Sequence, residues 1–381
     1  MIQLIYNAKI LIKNRIIEDG WLIINEDKIT GIGEGTPEHN NYQSKIDLNG
    51  LYLAPGLIDI HCHGGNGYDV MDKDRDVLKK ISEYKLNAGV TGWLATPLTA
   101  PPAELENVCK SIIKEIQAGK SPNLLGAHVE GPFISQAKKG AQNPKFIRDG
   151  ALKEINRWID ILGRYLRIVT LAPEKPGAEV IINRLKENKT LVATAHTAAS
   201  YEEMAQAIKA GIEQASHFYN GMTGFHHRNP GTVGAFLDSD ETTMEIIADG
   251  IHLHPATIRI TLKLAGTGRI ILITDAMRAA GMEDGSYDLG GLQVSINNGE
   301  ARLKDGSLAG STLKLIEAVK YIYNNTELDL VSSWQLASYN PAKRLGLDNY
   351  YGSLEAGKVA NIVAFDSQFN IKNIWLKGSL R

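Results

Sequence analysis

In the middle of the chain, short apolar stretches alternate with amphipathic ones, and this alternation constrains the fold more than any other sequence feature. Eight of the apolar stretches have the length of β-strands: Leu57–His61, Thr91–Pro97, Leu124–Glu130, Leu166–Ala172, Leu191–His196, Gln214–Phe218, Met244–Asp249 and Arg269–Asp275. Helical patterns separate most of them, for example Arg75–Asn87, Glu104–Gln117, Ala178–Asn188 and Tyr201–Ala210. Apolar strands that are each followed by a helix are typical of a parallel sheet with both faces covered. Eight such units predict an α/β fold, a (β/α)8 TIM-like barrel, rather than an open sheet.

Both ends of the chain have a different pattern, with short strands, tight turns and no long helices. Residues 2–14, 21–33 and 352–378 carry apolar side chains at roughly alternating positions. Short strands need partners to bury a face, so we expect the two ends to combine in one small β-sandwich. The predicted domains are residues 1–54 and 349–381 for the sandwich and 55–348 for the barrel, with further helix over 305–323 and 330–345.

Charge and composition exclude several classes of protein. The 381 residues include 41 Lys and Arg against 43 Asp and Glu, a formal net charge of −2, so there is no excess of basic residues to predict binding to nucleic acid or to an anionic membrane. No apolar run approaches the roughly 18–20 residues that span a bilayer, and the first residues lack the apolar block and cleavage site of a signal peptide. Two cysteines, Cys62 and Cys109, form no disulfide framework, which favours a cytoplasmic protein.

Polar residues recur where the predicted barrel strands end: His61, His63, Glu130, His196, His217 and Asp275. The carboxyl ends of barrel strands converge on one mouth, where active sites are built, so we expect these side chains to form one cluster. A single buried histidine is most often a hydrogen-bonded core residue. Several imidazoles gathered with carboxylates instead suit a divalent metal, namely Zn, Fe, Mn, Co or Ni. In the HCH segment alternate residues point the same way, so His61 and His63 can address one ion while Cys62 faces elsewhere.

Asp275 ends an apolar strand in the segment RIILITDAM. Taken alone, it is as consistent with a helix N-cap or a salt bridge as with catalysis. Facing a metal-bound water, a carboxylate is a natural general base, because the metal lowers the pKa of the water and the carboxylate can collect the proton. The same acid can then protonate a leaving amine. The pattern therefore predicts metal-assisted hydrolysis.

Two loops have both a functional and a structural interpretation. Arg228 follows two histidines in FHHRNPG and can form an anion site, because a guanidinium matches phosphate geometry, or the loop can simply be polar and solvated. The segment GSLAGST at 306–312 precedes a predicted helix at Leu313. Its backbone N–H groups can hold polar ligand atoms, or Ser311 can be only a helix cap.

The segment IADGIHLHP places Asp249, His252 and His254 at the end of the seventh predicted strand. A histidine at the barrel mouth, such as His252, can bind substrate or polarise a carbonyl. His254 is as readily explained as ordinary loop structure.

Ten segments carry a recognisable set of motifs: APGLIDIHCHG at 54–64, GAHVEGPFI at 126–134, ATAHT at 193–197, SHFYNGM at 216–222, HHRNPG at 226–231, ADGIHLHP at 248–255, LITDAM at 272–277, LAGS at 308–311, NPAKRLGL at 340–347 and GSLEAGKVANIVAF at 352–365. Together they resemble the N-acetylglucosamine-6-phosphate deacetylases of the amidohydrolase superfamily, over nearly the full length and in the same order. HxH alone indicates only the superfamily, whereas GAHVEGPF, SHFYNGM and HHRNPG narrow the resemblance to the deacetylases.

The resemblance implies an activity and a set of site residues. The reaction is hydrolysis of the acetamido group of N-acetylglucosamine 6-phosphate to glucosamine 6-phosphate and acetate, in amino-sugar catabolism or cell-wall recycling. Glu130, His196 and His217 would hold the principal metal, and Asp275 would be the catalytic acid and base, assisted by His252. The implied substrate contacts are Ala141, Gln142, Asn220, Gly221, Arg228, Asp249, Gly250, Ile251, His252, Leu308, Ala309 and Gly310.

The resemblance also bears on the metal count and on assembly. Family members with Gln or Asn at the position of His63 keep one metal. This chain has histidine there, as two-metal members do. His61 and His63 are therefore expected to hold a second ion shared with Glu130, so one or two ions per chain are implied. Some members carry a substrate-contacting histidine at the position of Gln142. The family is typically a homodimer in which the arginine matching Arg228 reaches the phosphate in the neighbouring subunit's site.

Three other functions compete with this interpretation. The same chemistry on N-acetylgalactosamine 6-phosphate differs at a single hydroxyl, which the sequence does not resolve. A cyclic-amide hydrolase on the same barrel often has a bridging modified lysine at a strand end, whereas Glu130 stands at the third strand here. A non-catalytic sugar-phosphate sensor on a retired enzyme fold is permitted by fold alone, but a retired site has no reason to keep Asp275.

Overall fold

The computed structural model describes residues 2–37 and 41–381 of the chain. The strands in these ranges are β1 (Ile2–Leu11), β2 (Ile16–Asn25), β3 (Lys28–Glu34), β4 (Ser44–Asp47), β5 (Tyr52–Pro55), β6 (Leu57–Cys62), β7 (Gly64–Gly65), β8 (Tyr68–Asp69), β9 (Val90–Ala95), β10 (Leu124–Glu130), β11 (Leu166–Leu171), β12 (Leu191–Thr194), β13 (Gln214–Ala215), β14 (Thr243–Ile246), β15 (Ile270–Leu272), β16 (Gly285–Leu289), β17 (Leu292–Asn297), β18 (Glu300–Arg302), β19 (Ile362–Phe365), β20 (Ile371–Leu376) and β21 (Ser379–Leu380).

The α-helices are α1 (Val77–Asn87), α2 (Pro102–Gln117), α3 (Leu152–Leu162), α4 (Ala178–Glu187), α5 (Tyr201–Ala210), α6 (Gly231–Leu237), α7 (Pro255–Ala265), α8 (Leu315–Asn325), α9 (Leu330–Gln335) and α10 (Tyr339–Arg344). The chain divides into two compact units, one of Met1–Asp59, Lys85–Gly92 and Leu315–Arg381, the other of Ile60–Tyr84 and Trp93–Lys314. The domain boundaries at 54/55 and 348/349 stay a prediction. Within the described residues, no helix combines the length and the apolarity needed to cross a bilayer.

Eight parallel strands form the predicted barrel, in the order β15-β14-β13-β12-β11-β10-β9-β6. Every predicted strand is present. Beyond the strands themselves, Cys62 and Ala276 form a parallel bridge, and the Asp275 N–H donates to the His61 carbonyl at 3.0 Å. These bonds join the first strand to the chain that follows the eighth, so the sheet is nearly closed and the (β/α)8 prediction is confirmed.

Several barrel strands are shorter than the sequence predicts. β12, β13 and β15 end two or three residues before His196, His217 and Asp275, which were predicted as strand ends. The cause is the backbone: φ is +47° at His196, +32° at His217 and +50° at Asp275, in the left-handed region, where the regular pairing of a strand is interrupted. These three side chains therefore lie on the turns that leave the strands.

The helices between the strands follow the predicted amphipathic pattern. α5 begins with a capping box, because the Ser200 hydroxyl accepts from the Glu203 N–H and the Glu203 carboxylate accepts from the Ser200 N–H. α2 begins at Pro102, where the missing N–H costs nothing. Buried faces such as Leu105, Cys109 and Ile112 of α2 cover the sheet, as expected for helices on a parallel sheet.

The segment after the eighth strand differs from the prediction. β16, β17 and β18 form a three-stranded antiparallel sheet, and α8 begins only at Leu315, so the predicted helix over 305–323 is wrong for residues 305–314 and the predicted helix start at Leu313 is two residues early. Turn residues with positive φ, Gly290 and Gly291 before β17 and Asn298 and Gly299 after it, were the overlooked signal. The predicted helix over 330–345 is present as the two short helices α9 and α10.

Strands from both ends of the chain share one sheet, in the order β21-β20-β19-β5-β1-β2-β3, with β4 paired to β1. β19 is antiparallel to β5, with Ile362 opposite Pro55, so the C-terminal strands complete the sheet begun at the N-terminus. Ile5, Leu22, Ile362 and Trp375 are buried in the shared core. The predicted small β-domain made from both chain ends is confirmed.

Candidate active site

A cavity of about 310 Å³ brings together most of the residues that the sequence singled out. Twelve of them line it: His63, Glu130, Ala141, Gln142, His196, His217, Asn220, Gly221, His252, Asp275, Leu308 and Gly310. Leu98, Gly140, Leu289 and Ser307 also line it and were not predicted. Of these, Leu289 comes from β16, so the unpredicted sheet supplies part of the wall.

The other predicted residues lie outside the cavity lining. His61 is fully buried, and Ala309 is buried as well. Asp249 is partly buried, whereas Gly250 and Ile251 are exposed. Arg228 lies on an exposed loop, where its guanidinium contacts the His227 ring at 2.7 Å. Within one chain, the structure therefore does not bring Arg228 to the cavity.

Glu130 ends β10 and lies at the centre of the cluster. Its Oε1 is 2.9 Å from Nε2 of His217, 3.3 Å from Nε2 of His196 and 3.5 Å from Nε2 of His61, while its Oε2 is 3.5 Å from Nε2 of His63. Burial alone would raise the pKa of Glu130, but the surrounding imidazoles outweigh burial and hold the pKa well below its usual range. Glu130 is therefore ionised at neutral pH and can bind a cation.

Asp275 faces the same cluster from the turn after β15. Its Oδ1 is 2.9 Å from Nε2 of His63 and 3.5 Å from Nε2 of His61. Burial opposes ionisation, but the bond to His63 and the charges of His61, His63 and His217 together outweigh it and lower the pKa of Asp275 to about 2. No α-helix begins at Asp275 in the described chain, so the N-cap interpretation is wrong and this aspartate is an ionised group beside two imidazoles.

Three of the four imidazoles are anchored by backbone carbonyl oxygens. Nδ1 of His63 lies 2.8 Å from the Thr96 oxygen, and Nδ1 of His196 lies 2.9 Å from the Lys138 oxygen. Nδ1 of His217 lies 3.1 Å from the Asn220 oxygen. A carbonyl oxygen only accepts, so each Nδ1 carries the proton and each Nε2 turns towards the carboxylates.

This arrangement fits a divalent metal. Metal-bound histidines characteristically donate their other N–H to a carbonyl or carboxylate, as these do. Two overlapping groups offer ligand atoms close enough to share an ion, His61 with His63 and Asp275, and His61 with Glu130 and His217. Cys62 does not join them, since its thiol donates to the Gly64 carbonyl oxygen at 3.2 Å, as the alternation of HCH predicted. Mixed nitrogen and oxygen ligands suit zinc and neighbouring transition metals.

Strained backbone coincides with the cluster. His196, His217 and Asp275 all have positive φ, which costs a non-glycine residue on the order of 1–3 kcal/mol. Such strain persists only where the surrounding structure enforces it, and it concentrates at functional sites. Close packing next to them also demands glycine: at Gly310, with φ +61°, a Cβ would lie 3.0 Å from the Asp275 carbonyl oxygen.

His252 is held rigidly at the edge of the cavity. Its Nδ1 lies 2.7 Å from Oδ2 of Asp249, whose Oδ1 accepts the N–H groups of Ile251 and His252 at 2.8 Å. Burial opposes ionisation of Asp249, but His252 outweighs it and the pKa of Asp249 is lowered. His254, in contrast, caps α7 by accepting the Ala256 N–H, which supports its structural interpretation.

Gln142 has an unexpected pair of partners for a predicted substrate contact. Its Nε2 donates to Oε2 of Glu130 at 2.6 Å, and its Oε1 accepts the Thr99 N–H at 2.9 Å. Both ends of the amide are thus bound within the protein. Ser311 is also bound locally, since its hydroxyl accepts the Leu313 N–H at 3.1 Å.

Two buried polar residues behind the cluster were missed by the sequence analysis. His128 is bound at both ring nitrogens, Nδ1 to the Ile60 carbonyl oxygen at 2.9 Å and Nε2 to the Thr170 hydroxyl at 2.7 Å. Burial lowers the pKa of His128 well below its usual value, so it is neutral. Glu245 lies 2.8 Å from Nδ1 of His61. The signals were present: His128 shares a strand face with Glu130, and Glu245 is a lone charge in a buried strand.

Known proteins resemble this chain over most of its length. The sequence model of the Amidohydrolase family matches residues 52–381. The chain is 43% identical to an N-acetylglucosamine-6-phosphate deacetylase of Vibrio furnissii, over 88% of this chain and 84% of that protein. It is 40% identical to an N-acetylgalactosamine-6-phosphate deacetylase of Escherichia coli O157:H7, over 96% and 97% of the two chains. The crystal structure of an N-acetylglucosamine-6-phosphate deacetylase from Pasteurella multocida superposes with a TM-score of 0.93 at 31% identity, covering 100% of both chains.

Proposed function

This chain belongs to the amidohydrolase family, and we propose that it hydrolyses the acetamido group of N-acetylglucosamine 6-phosphate to glucosamine 6-phosphate and acetate. The observation that carries the proposal is the cavity in which Glu130, Asp275 and the imidazoles converge, in a chain 43% identical to a deacetylase of this substrate. The resemblance noted in the sequence is thereby confirmed. A metal-dependent amide hydrolase needs ligands, a base and a substrate pocket, and the residues proposed for these three roles lie close together.

The proposed metal ligands are the residues around Glu130. Glu130, His196 and His217 would hold the principal ion, and His61 and His63 would hold a second one shared with Glu130. A bound divalent metal polarises the amide carbonyl and lowers the pKa of water towards neutrality. Zn, Fe, Mn, Co and Ni all suit this donor set, and we propose two ions per chain because His61 and His63 both direct Nε2 to the carboxylates.

Asp275 and His252 would move and stabilise charge during the reaction. Asp275 is ionised and is therefore able to take a proton from the attacking water as the water oxygen bonds to the acetyl carbon. It returns that proton to the sugar nitrogen as the carbon–nitrogen bond breaks, which releases an amine and acetate. His252 would donate from Nε2 to the carbonyl oxygen, where negative charge develops. The contact of Nδ1 with Asp249 orients the ring so that Nε2 is the nitrogen free to face the substrate.

The sugar phosphate would be held by the remaining predicted contacts. Asn220, Gly221, Leu308 and Gly310, which line the cavity, would contact the sugar. The other proposed contacts are Ala141, Arg228, Asp249, Gly250, Ile251 and Ala309. Holding the phosphate far from the scissile bond orients the amide and raises its effective concentration.

We propose that the enzyme is a homodimer and that Arg228 binds the phosphate in the partner's site. Two observations support this arrangement. Arg228 is exposed and outside its own cavity, and Phe225 beside it is 64% exposed, as expected of a surface that another subunit covers. A cytoplasmic location is proposed because both cysteines are free thiols.

N-acetylgalactosamine 6-phosphate is the second candidate substrate. The 40% identity to a deacetylase of that sugar, over 96% of this chain, favours it specifically. The two sugars differ only in the configuration of the 4-hydroxyl group, which is remote from the acetamido chemistry assigned to Glu130 and Asp275.

The test is acetate release from each of the two sugar phosphates by the purified protein, before and after chelation, with metal measured per chain. We expect chelator-sensitive turnover that returns with added metal, and a higher kcat/KM for the glucosamine derivative. A higher value for the galactosamine derivative would select the second candidate. No acetate from either sugar with any divalent metal restored would contradict the proposed function and favour a sensor.

A further inference from the structure

His61 is anchored differently from the other three histidines of the site. His63, His196 and His217 each direct Nδ1 at a backbone carbonyl oxygen, whereas Nδ1 of His61 lies 2.8 Å from the carboxylate of Glu245. Glu245 lies on β14, 184 residues away in sequence, and is 0% exposed. A buried carboxylate is costly unless it is hydrogen-bonded and paired with a positive charge. Its position behind one imidazole therefore indicates a function.

Every oxygen of Glu245 accepts a hydrogen bond from the protein. Nε2 of Gln214 donates to Oε1 at 2.6 Å, and Oε2 faces both Nδ1 of His61 and, at 3.3 Å, the N–H of His217. These donors fix the carboxylate in one orientation. Because Glu245 only accepts in this arrangement, Nδ1 of His61 carries the proton, and Nε2 faces Glu130 and Asp275.

Glu245 does not itself have the surroundings of a metal ligand. It forms a group with His61 and His128 in which the three ligand atoms lie close together. However, His128 directs one nitrogen to the Ile60 carbonyl oxygen and the other to the Thr170 hydroxyl, so neither points at a shared ion. The Glu245 carboxylate therefore acts on the site through the imidazole of His61.

We infer that Glu245 is a positioning residue for the metal site: through the proton on Nδ1 it holds Nε2 of His61 towards the cavity and makes that nitrogen a stronger ligand for a cation beside His61 and His63. The inference rests on the proposed function, since it presumes that these histidines hold metal. A carboxylate that accepts from Nδ1 raises the basicity of the imidazole, and its full negative charge does so more than the carbonyl dipoles that anchor the other imidazoles. Outer partners of this kind typically change metal affinity 10- to 100-fold when removed.

The test compares metal retention in four variants: Glu245→Gln, His61→Asn, the double variant, and Glu115→Gln as a control. Glu115 is a buried glutamate of α2 that accepts a hydrogen bond from Ser121, outside the site. Each protein is stripped, reloaded with Zn²⁺ and titrated with a competing chelator, and zinc per chain is measured by mass spectrometry. We expect Glu245→Gln to weaken retention about 10- to 100-fold, Glu115→Gln to match wild type, and the double variant to be no weaker than His61→Asn.

Two results would overturn the inference: zinc retention by Glu245→Gln equal to wild type, or a double variant clearly weaker than His61→Asn, because Glu245 would then act independently of His61. If Glu245→Gln does not fold, Glu245→Asp keeps the charge but shortens the reach to Nδ1; wild-type retention there would contradict the positioning role. The proposed function fails separately, when a wild type that retains zinc releases no acetate.

Discussion

Gln142 donates from Nε2 to Oε2 of Glu130 at 2.6 Å, so a residue predicted to contact substrate is bound to the carboxylate at the centre of the site. The bond takes one lone pair of the oxygen that faces His63 and fixes the rotation of the Glu130 carboxylate. Gln142 therefore influences how Glu130 presents its two oxygens to a cation.

Replacing Gln142 by alanine should weaken metal retention more than substrate binding. The change removes the donor to Glu130 and leaves the buried Thr99 N–H without its acceptor. We expect an approximately 10- to 100-fold weaker metal affinity with KM changed by less than about threefold. Chelator titration and steady-state kinetics at saturating metal check this. A raised KM with unchanged metal affinity would show that Gln142 binds substrate, as the sequence predicted.

Asp275→Asn should abolish most turnover while the metal stays bound. Asparagine keeps the size of the side chain but can neither collect the water proton nor deliver it to the amine, so kcat should fall about 10²- to 10⁴-fold. Acetate release and metal per chain are the measurements. Asp238→Asn, at an exposed carboxylate bound to the Tyr201 hydroxyl, is the matched control. Retained activity would remove Asp275 from catalysis.

Arg228→Ala should raise KM for the phosphorylated sugar and leave hydrolysis of unphosphorylated N-acetylglucosamine unchanged. Loss of a charge-assisted contact to phosphate predicts an increase of about 10- to 100-fold. Arg164→Ala, an exposed arginine stacked on Tyr165, serves as control. Equal losses on both sugars would indicate a structural role.

Mixing Arg228→Ala with Asp275→Asn subunits tests whether Arg228 acts across a dimer. In a mixed dimer, the site with an intact Asp275 would receive the partner's intact Arg228, so activity should return to one of the two sites. The measurement is acetate release at low substrate concentration after subunit exchange. If Arg228 acts within its own chain, no site is complete and the mixture stays as slow as its components.

Asp69→Asn should change how stability depends on pH. Burial raises the pKa of Asp69 to about 6 from an ordinary 3.8, although the Met71 N–H and Arg278 act in the opposite direction. Well below pH 3.8 the carboxyl is protonated in both folded and unfolded chains; above pH 6 the folded protein must hold a buried charge. The full pKa shift corresponds to roughly 3 kcal/mol, of which wild type loses about 2 kcal/mol of stability between pH 4 and 6, and the variant keeps it.

Denaturant unfolding of both metal-free proteins at pH 4, 5 and 6 measures this difference. The stability of Asp69→Asn relative to wild type should rise across the range, whatever constant offset the substitution adds. Asp19→Asn, at an exposed position on β2, is the control and should show no such trend. Parallel pH profiles for Asp69→Asn and wild type would contradict the prediction, because ionising Asp69 would then not lower the free energy of unfolding.

Much of the barrel and of its site could be predicted from the sequence, because local patterns determine both. Apolar runs mark the strands, and residues at the ends of parallel strands must meet, so Glu130, His196, His217 and Asp275 could be placed together without coordinates. The relatives then confirm deacetylation as the activity, whereas the roles of the individual residues stay predictions.

The remaining features depend on contacts that no local pattern contains. Glu245 meets His61 across 184 residues, and Gln142 meets Glu130 through a loop whose conformation the sequence did not indicate. The sheet of β16 to β18 was missed because its alternating segments follow the eighth barrel strand, where further helix was expected. The left-handed turns at His196 and His217 were missed because histidine is not one of the residues that usually form turns.

The bridge between Cys62 and Ala276, with the bond from Asp275 to the His61 carbonyl, lies where the two ends of the barrel sheet meet. Side chains from both sides of that seam, His61 and His63 on one and Asp275 on the other, face the same cluster. A cation held there would stabilise the closed form of the barrel. Binding to the folded state alone stabilises it in proportion to the logarithm of ligand concentration over Kd. The metal concentration would then contribute to the free energy of opening the barrel at this seam. Metal depletion would make the chain more susceptible to proteases as well as inactive.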